Sequence, residues 1–349
     1  MEIIKDLLLL LGSIAVFLSG LKVMSDEVCN LSGEKMKKGI KAVAGRRCGA
    51  VLAGCAVTAV AQSSIATNMI VIGFVEGGVM SFMQAAATIM GTNIGTTMTA
   101  QLVSFSQGSG SFDITAIGCG MAFAGVIMQF MKNEKVRSAG GAMCGFGFIF
   151  IGLMLMTESV ENFKNYVWFK NLFLVENPLV LFFNGLLITA VIQSSSVATG
   201  MMVVLGSIGL LPFEKATFLI LGSNIGTCLP VIIASADKSA EAKKAALFNI
   251  VFNIIGSMVF FLPLIFAGSR INELPFFGGM AIGRKIANFH TFFNTVVCLL
   301  LILPLKYVCA LTEKIYCLFY GGKKAEKTCK KTKKPFARFS KRQKTIKVS

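Results

Sequence analysis

The chain has 349 residues, of which 54% are hydrophobic and 15% charged, with a mean hydropathy of +0.72. A soluble domain carries about 45–50% apolar residues, so a water-soluble fold of this length could not bury the excess. The net charge is +17, but residues 323–349 hold twelve Lys and Arg against one acid, Glu326, which leaves about +6 for the rest.

Residues 3–24 open the chain as an apolar run. About 20 helical residues at 1.5 Å rise cross a hydrocarbon core of about 30 Å. A signal peptide is the alternative reading. The run is long for one, its head sets Asp6 beside Lys5, and no small-residue cleavage pattern clearly follows, so it is read as a retained first span. Lys35, Lys37, Lys38, Lys41, Arg46 and Arg47 then form a basic loop, cytoplasmic by the positive-inside rule. Residues 1–39 are thus the first span and cytoplasmic loop.

Residues 48–75 are apolar except around T-A-V-A-Q-S-S at 58–64. As one straight helix they would reach about 42 Å, too long for the core, whereas two half-helices of about 13 residues reach roughly 20 Å, past the midplane and back. This predicts a re-entrant hairpin. Spans at 79–104, 113–131 and 139–157 follow, the first carrying G-T-N-I-G-T-T at 91–97. Lys132, Lys135 and Arg137 form a second cytoplasmic turn. The connector 158–177 mixes Glu158, Glu161 and Glu176 with Lys164 and Lys170, and so can lie outside.

Then the pattern returns. T-A-V-I-Q-S-S occupies 189–195 and G-S-N-I-G-T-C occupies 222–228, both offset by 131 residues from their first copies. Gly54 matches Gly185 and Gly78 matches Gly209 in the same register. The chain is read as a duplication, with repeat 1 at 40–157, repeat 2 at 178–311 and a basic cytoplasmic tail at 312–349. Repeat 2 brings a hairpin at 181–208 and spans at 210–235, 246–268 and 286–311. The seven crossings place the N-terminus outside and the C-terminus in the cytoplasm. Repeat 1 then starts inside and repeat 2 outside, the inverted arrangement common in secondary transporters. The expected fold is an all-α polytopic membrane protein of two inverted-topology repeats, each with a re-entrant helical hairpin and a broken transmembrane helix.

The ten cysteines form no C-x-x-C pair and lie mostly in apolar segments, as packing residues do. His290 is the only histidine, which argues against a zinc enzyme. An intramembrane serine enzyme would need a base beside a serine, and His290, on a helix next to Phe289, reads better as structural. No enzyme activity and no cofactor are expected. The tail is read as lying on anionic lipid rather than on nucleic acid.

Gln62, Ser63 and Ser64, with Gln193, Ser194, Ser195 and Ser196, put polar groups inside apolar segments, where they are expensive unless buried or lining a wet cavity. Serine is a good N-cap. At a hairpin tip it leaves free N–H groups and a positive helix end for a small anion, to which serine hydroxyls and the Gln amide can donate. Serines that only glue helices together are the alternative. In G-x-N-I-G-T, two glycines four apart fit close helix packing. An unwound helix would instead expose carbonyls beside Asn93, Thr96 and Thr97, and in the second copy beside Asn224 and Thr227, oxygens suited to Na⁺.

The paired Q-S-S segments, each followed by G-x-N-I-G-T, resemble the sodium/phosphate cotransporter family, which includes bacterial members and the animal type II carriers. Ala245–Asn253 and Ile286–Asn294 are similar to the family's later helices, so the resemblance covers about 40–311. It implies sodium-coupled uptake of inorganic phosphate across the plasma membrane, phosphate on the two serine loops and sodium on nearby polar groups. Three features depart from the family: Ile65 follows the first Q-S-S, Asn249 stands where relatives often have His, and no soluble regulatory domain follows residue 320. Another small oxyanion, another coupling cation, or a membrane phosphate sensor are the rival readings. The oligomeric state stays open, a homodimer included.

Overall fold

The structure is a computed structural model that describes residues 2–43, 45–106, 114–163, 166 and 175–320. Most of the connector and the tail from 321 onward lie outside the described residues, and so do the expectations made for them. The described residues form thirteen α-helices and no strand. In chain order they are α1 (Glu2–Val43), α2 (Arg47–Ala61), α3 (Ser64–Glu76), α4 (Phe82–Ser106), α5 (Ile114–Gln129), α6 (Glu134–Phe163), α7 (Pro178–Ile192), α8 (Ser195–Ser207), α9 (Phe213–Gly226), α10 (Cys228–Ala234), α11 (Ala240–Ala267), α12 (Ile282–Ile302) and α13 (Leu305–Tyr320).

Five stretches are long and apolar enough to cross a membrane: Glu2–Ala42, Glu134–Phe163, Phe213–Ala234, Ala240–Glu273 and Ile282–Ile302. Two expected crossings are not among them. α5 is short, at 16 described residues. α4 is 25 residues long but too polar, because Thr88, Thr92, Thr96, Thr97 and Thr99 sit buried along it. Its polar positions face protein rather than lipid.

Several boundaries move. The basic loop expected from 35 is helical to Val43, where Lys and Glu are good helix formers and Lys37 pairs with Glu34 at 3.0 Å. α1 is therefore about 63 Å long. α6 runs on to Phe163, into the expected connector. The last span ends at Ile302, since Pro304 has no N–H to continue it, and α13 starts anew.

The largest interface joins α1 to α6. Glycines make it possible. A methyl group at Gly20 would lie 2.7 Å from Ile149 N, and one at Gly145 2.5 Å from Met24 N. Tyr166 donates to Asp6 Oδ2 at 2.9 Å, tying the end of α6 to the start of α1.

The duplication is visible contact by contact. A methyl at Gly91 would overlap the carbonyl oxygen of Val51, and one at Gly222 that of Phe182. One at Gly95 would meet Cys55 O and Thr58 Cβ, and one at Gly226 would meet Leu186 O and Thr189 Cβ. Each partner is offset by the same 131 residues. So α2 lies against α4 as α7 lies against α9, and the G-x-N-I-G glycines do serve close helix packing.

Candidate functional site

The two Q-S-S segments are the breaks between α2 and α3 and between α7 and α8. Gln62 (φ 52, ψ 20) and Gln193 (φ 59, ψ 21) are in the left-handed conformation, the only non-glycine residues with positive φ among those described. Glycine usually ends a helix this way, since a β-carbon there costs about 1–2 kcal/mol. Glutamine holds this conformation at equivalent places in both copies, where glycine would carry no such cost. Gln62 Nε2 donates to Ala59 O, and Gln62 Oε1 accepts from Thr99 at 2.6 Å. Gln193 is exposed.

The next residue caps the following helix in both copies. Ser63 Oγ accepts from Ala66 N at 3.2 Å and Ser194 Oγ from Val197 N at 3.4 Å. The N–H groups of Ser64 and Ile65, and of Ser195 and Ser196, have no acceptor within their own helices by position. Both helix starts open on one cavity of about 500 Å³. Its lining includes all seven residues expected to bind an anion, Gln62, Ser63, Ser64, Gln193, Ser194, Ser195 and Ser196, along with Ile65 and Thr227. Two positive helix ends, their free N–H groups and the serine hydroxyls converge there from distant parts of the chain. Thr99 also lies 3.1 Å from the Ser196 hydroxyl, so one α4 side chain touches residues of both breaks.

The sequence pattern of the family described as "Na+/Pi-cotransporter" matches residues 16–158 and 168–282. The chain belongs to the Na⁺/Pi-cotransporter family. Among relatives of this family member, the "Uncharacterized protein YqeW" of Bacillus subtilis is 28% identical over 84% of this chain and 92% of its own length. The "Putative inorganic phosphate export protein YjbB" of Escherichia coli K12 is 25% identical over 85% of this chain, which spans about half (53%) of that protein. The "Sodium-dependent phosphate transport protein 2A" of rabbit is 33% identical over 34% of this chain and 18% of its own length. No solved structure matches.

For a member of the Na⁺/Pi-cotransporter family, the residues expected at a cation site are arranged otherwise than foreseen. α4 is not broken: it runs through Gly91–Thr97 as continuous helix. The hydroxyls of Thr96 and Thr97 donate back to Thr92 O and Ile94 O at 2.8 Å each. Thr227 likewise donates to Ser223 O at 3.0 Å. The second copy stays helical in conformation through Thr227 (φ −64, ψ −20), whose N–H donates to Ser223 O at 3.2 Å, so α9 and α10 follow one another as one span with a weakened turn. The weakening falls where Pro230, lacking an N–H, leaves the carbonyl of Gly226 without its ladder partner. In the first copy that position is Thr99.

Asn93 donates to Ile89 O at 2.9 Å and to Asn249 Oδ1 at 3.2 Å. Asn253 donates to the same Asn249 oxygen at 3.1 Å, so α4 and α11 share a buried amide chain. Asn224 Oδ1 lies 3.5 Å from His290 Nε2, and Asn224 Nδ2 has no partner. His290 is buried, away from the cavity lining.

Three cavity residues escaped the sequence reading: Lys22, Ser25 and Asp26 of α1. Their signal was there, as polar residues at i, i+3 and i+4 interrupting an apolar helix. Thr99 was also missed, although the repeat register sets it opposite Pro230.

Proposed function

We propose that this chain is a secondary carrier that moves inorganic phosphate together with sodium across the plasma membrane by alternating access. The observation that carries the reading is the single cavity onto which two serine-capped helix starts open from two copies of one motif. Such a site binds a small oxyanion without a dedicated full charge on either loop. In this reading the repeats are inverted, α2–α3 and α7–α8 are re-entrant hairpins, the N-terminus is outside, and the basic tail lies on the anionic cytoplasmic leaflet. Asn93, Thr96 and Thr97, with Asn224 and Thr227, serve the cation. Sodium coupling is supported by the family and by the rabbit relative's name.

A second direction has its own support: the relative named for phosphate export aligns over 85% of this chain. The test is labelled phosphate flux in proteoliposomes, loaded and unloaded, with and without a sodium gradient. Uphill uptake driven by inward sodium supports symport. Flux indifferent to sodium refutes the coupling, and binding without any flux refutes the carrier in favour of a sensor.

A further inference from the structure

Two charged side chains in the cavity have no role in the reading above. Lys22 and Asp26 are one turn apart on α1 and line the same cavity as the serine loops. Among the described residues neither has a hydrogen bond or an ion pair, with each other or with any other group. Spacing of i, i+4 on a helix ordinarily lets opposite charges meet. Here both remain available. Charges snorkelling toward lipid headgroups would lie outside the cavity, and an ionisable residue on an apolar helix facing a wet cavity is a functional group by default.

The two side chains differ in what they can do. Helix N–H groups and the Lys ammonium only donate, serine hydroxyls and glutamine amides can turn to donate to either anion, and an ionised carboxylate only accepts. A site of fixed donors and turnable hydroxyls and amides would take any small tetrahedral anion, because sulfate and phosphate have nearly the same size and charge. They differ in their protons. At neutral pH phosphate and arsenate keep at least one, and sulfate keeps none. A carboxylate therefore meets a hydroxyl on phosphate and a bare lone pair on sulfate, and a charged acceptor left facing a lone pair is strongly unfavourable.

We propose that Lys22 and Asp26 complete the anion site and set its selectivity: Lys22 donates to an unprotonated oxygen, and Asp26 accepts from the ligand's own hydroxyl. The site then takes protonated oxyanions, phosphate and arsenate, and rejects sulfate. This rests on phosphate being the cavity's ligand. The test is calorimetric titration of the purified full chain, in sodium, with phosphate, sulfate and monofluorophosphate, in which fluorine replaces the hydroxyl. Wild type should bind sulfate and monofluorophosphate about tenfold to a hundredfold more weakly than phosphate. In Asp26→Asn, whose amide can donate, sulfate should gain and phosphate lose, so the ratio collapses. Lys22→Gln should weaken all three anions together, and Lys22→Arg should restore them. The monofluorophosphate arm needs no variant to fold. Wild type that binds it, or sulfate, as tightly as phosphate overturns the proposal while leaving phosphate carriage standing. An Asp26→Asn variant with full discrimination does the same. Wild type that binds no phosphate overturns the carrier reading and this proposal with it.

Discussion

Replacing Gln62 by glycine separates the cost of the backbone from the use of the side chain. At φ 52 and ψ 20 an L-residue costs about 1–2 kcal/mol that glycine does not. Glycine gives back about 0.5–1 kcal/mol in chain entropy. The lost amide forfeits two half-buried hydrogen bonds, to Ala59 O and from Thr99, at about 0.5–1.5 kcal/mol each. Gln62→Gly should therefore fall between a gain of about 0.5 and a loss of about 3 kcal/mol, and Gln62→Ala, which keeps the strain, should be the less stable by up to about 1.5 kcal/mol. Gln193→Gly should lose less, because no hydrogen bond of the Gln193 side chain offsets its strain at φ 59. Apparent melting is read by fluorescence-detected size exclusion, and phosphate flux in proteoliposomes. Both Gln62 variants should lose phosphate affinity alike despite their different stabilities. Wild-type flux in Gln62→Gly would refute the reasoning and reduce the glutamine to a helix stop.

Other expectations follow the same geometry. Ser63→Ala and Ser194→Ala remove a cap worth about 0.5–2 kcal/mol and a donor to the anion, so the apparent phosphate constant should rise about tenfold to a hundredfold in flux assays. Unchanged kinetics in both would sink the site. Asn93→Ala and Asn224→Ala should raise the sodium needed for half-maximal flux, and saturating sodium should rescue phosphate affinity; a defect that sodium does not rescue points to helix packing instead. Pro230→Ala should supply the ladder bond to Gly226 O that proline cannot make, gaining up to about 3 kcal/mol while slowing flux past Thr227, the two being read by melting and by uptake. Cysteine labelling at Lys41, which is exposed where its neighbour Ile40 is fully buried, should report from the cytoplasmic side. Labelling from outside would overturn the assigned orientation of the chain.

Much of the site was legible because its causes are local and occur twice. A run too long for the bilayer, broken by Gln-Ser-Ser, gives two helices and a cap wherever it stands, and both copies did so. The glycines of the second motif were equally readable as a packing seam. The unwinding expected there was not found in α4, which has no proline between Phe82 and Ser106 and whose threonine hydroxyls are satisfied by carbonyls of the preceding turn. The second copy does not unwind either: Thr227 keeps helical dihedrals, and only the ladder bond that Pro230 cannot make is missing, just past the motif. Lys22 and Asp26 were hidden for a different reason. At the end of an apolar run, charges look like the flank of a span, and only the meeting of α1 with two breaks about 40 and 170 residues away turns that flank into a wall.

The glycine seams also bear on mechanics. Where no methyl group fits between α2 and the carbonyl-lined face of α4, the helices have no slack in which to slide, and the same holds for α7 and α9. Each pair is a stiff plank, and any bending of the molecule must be taken up elsewhere. The turns that end α3 and α8 are fastened in the same way in both copies: Gly78 and Gly209, at φ 69 and φ 79, let Val79 N and Leu210 N fold back onto Phe74 O and Leu205 O at 2.8 and 2.9 Å, so each plank continues into a closed corner rather than a loose loop.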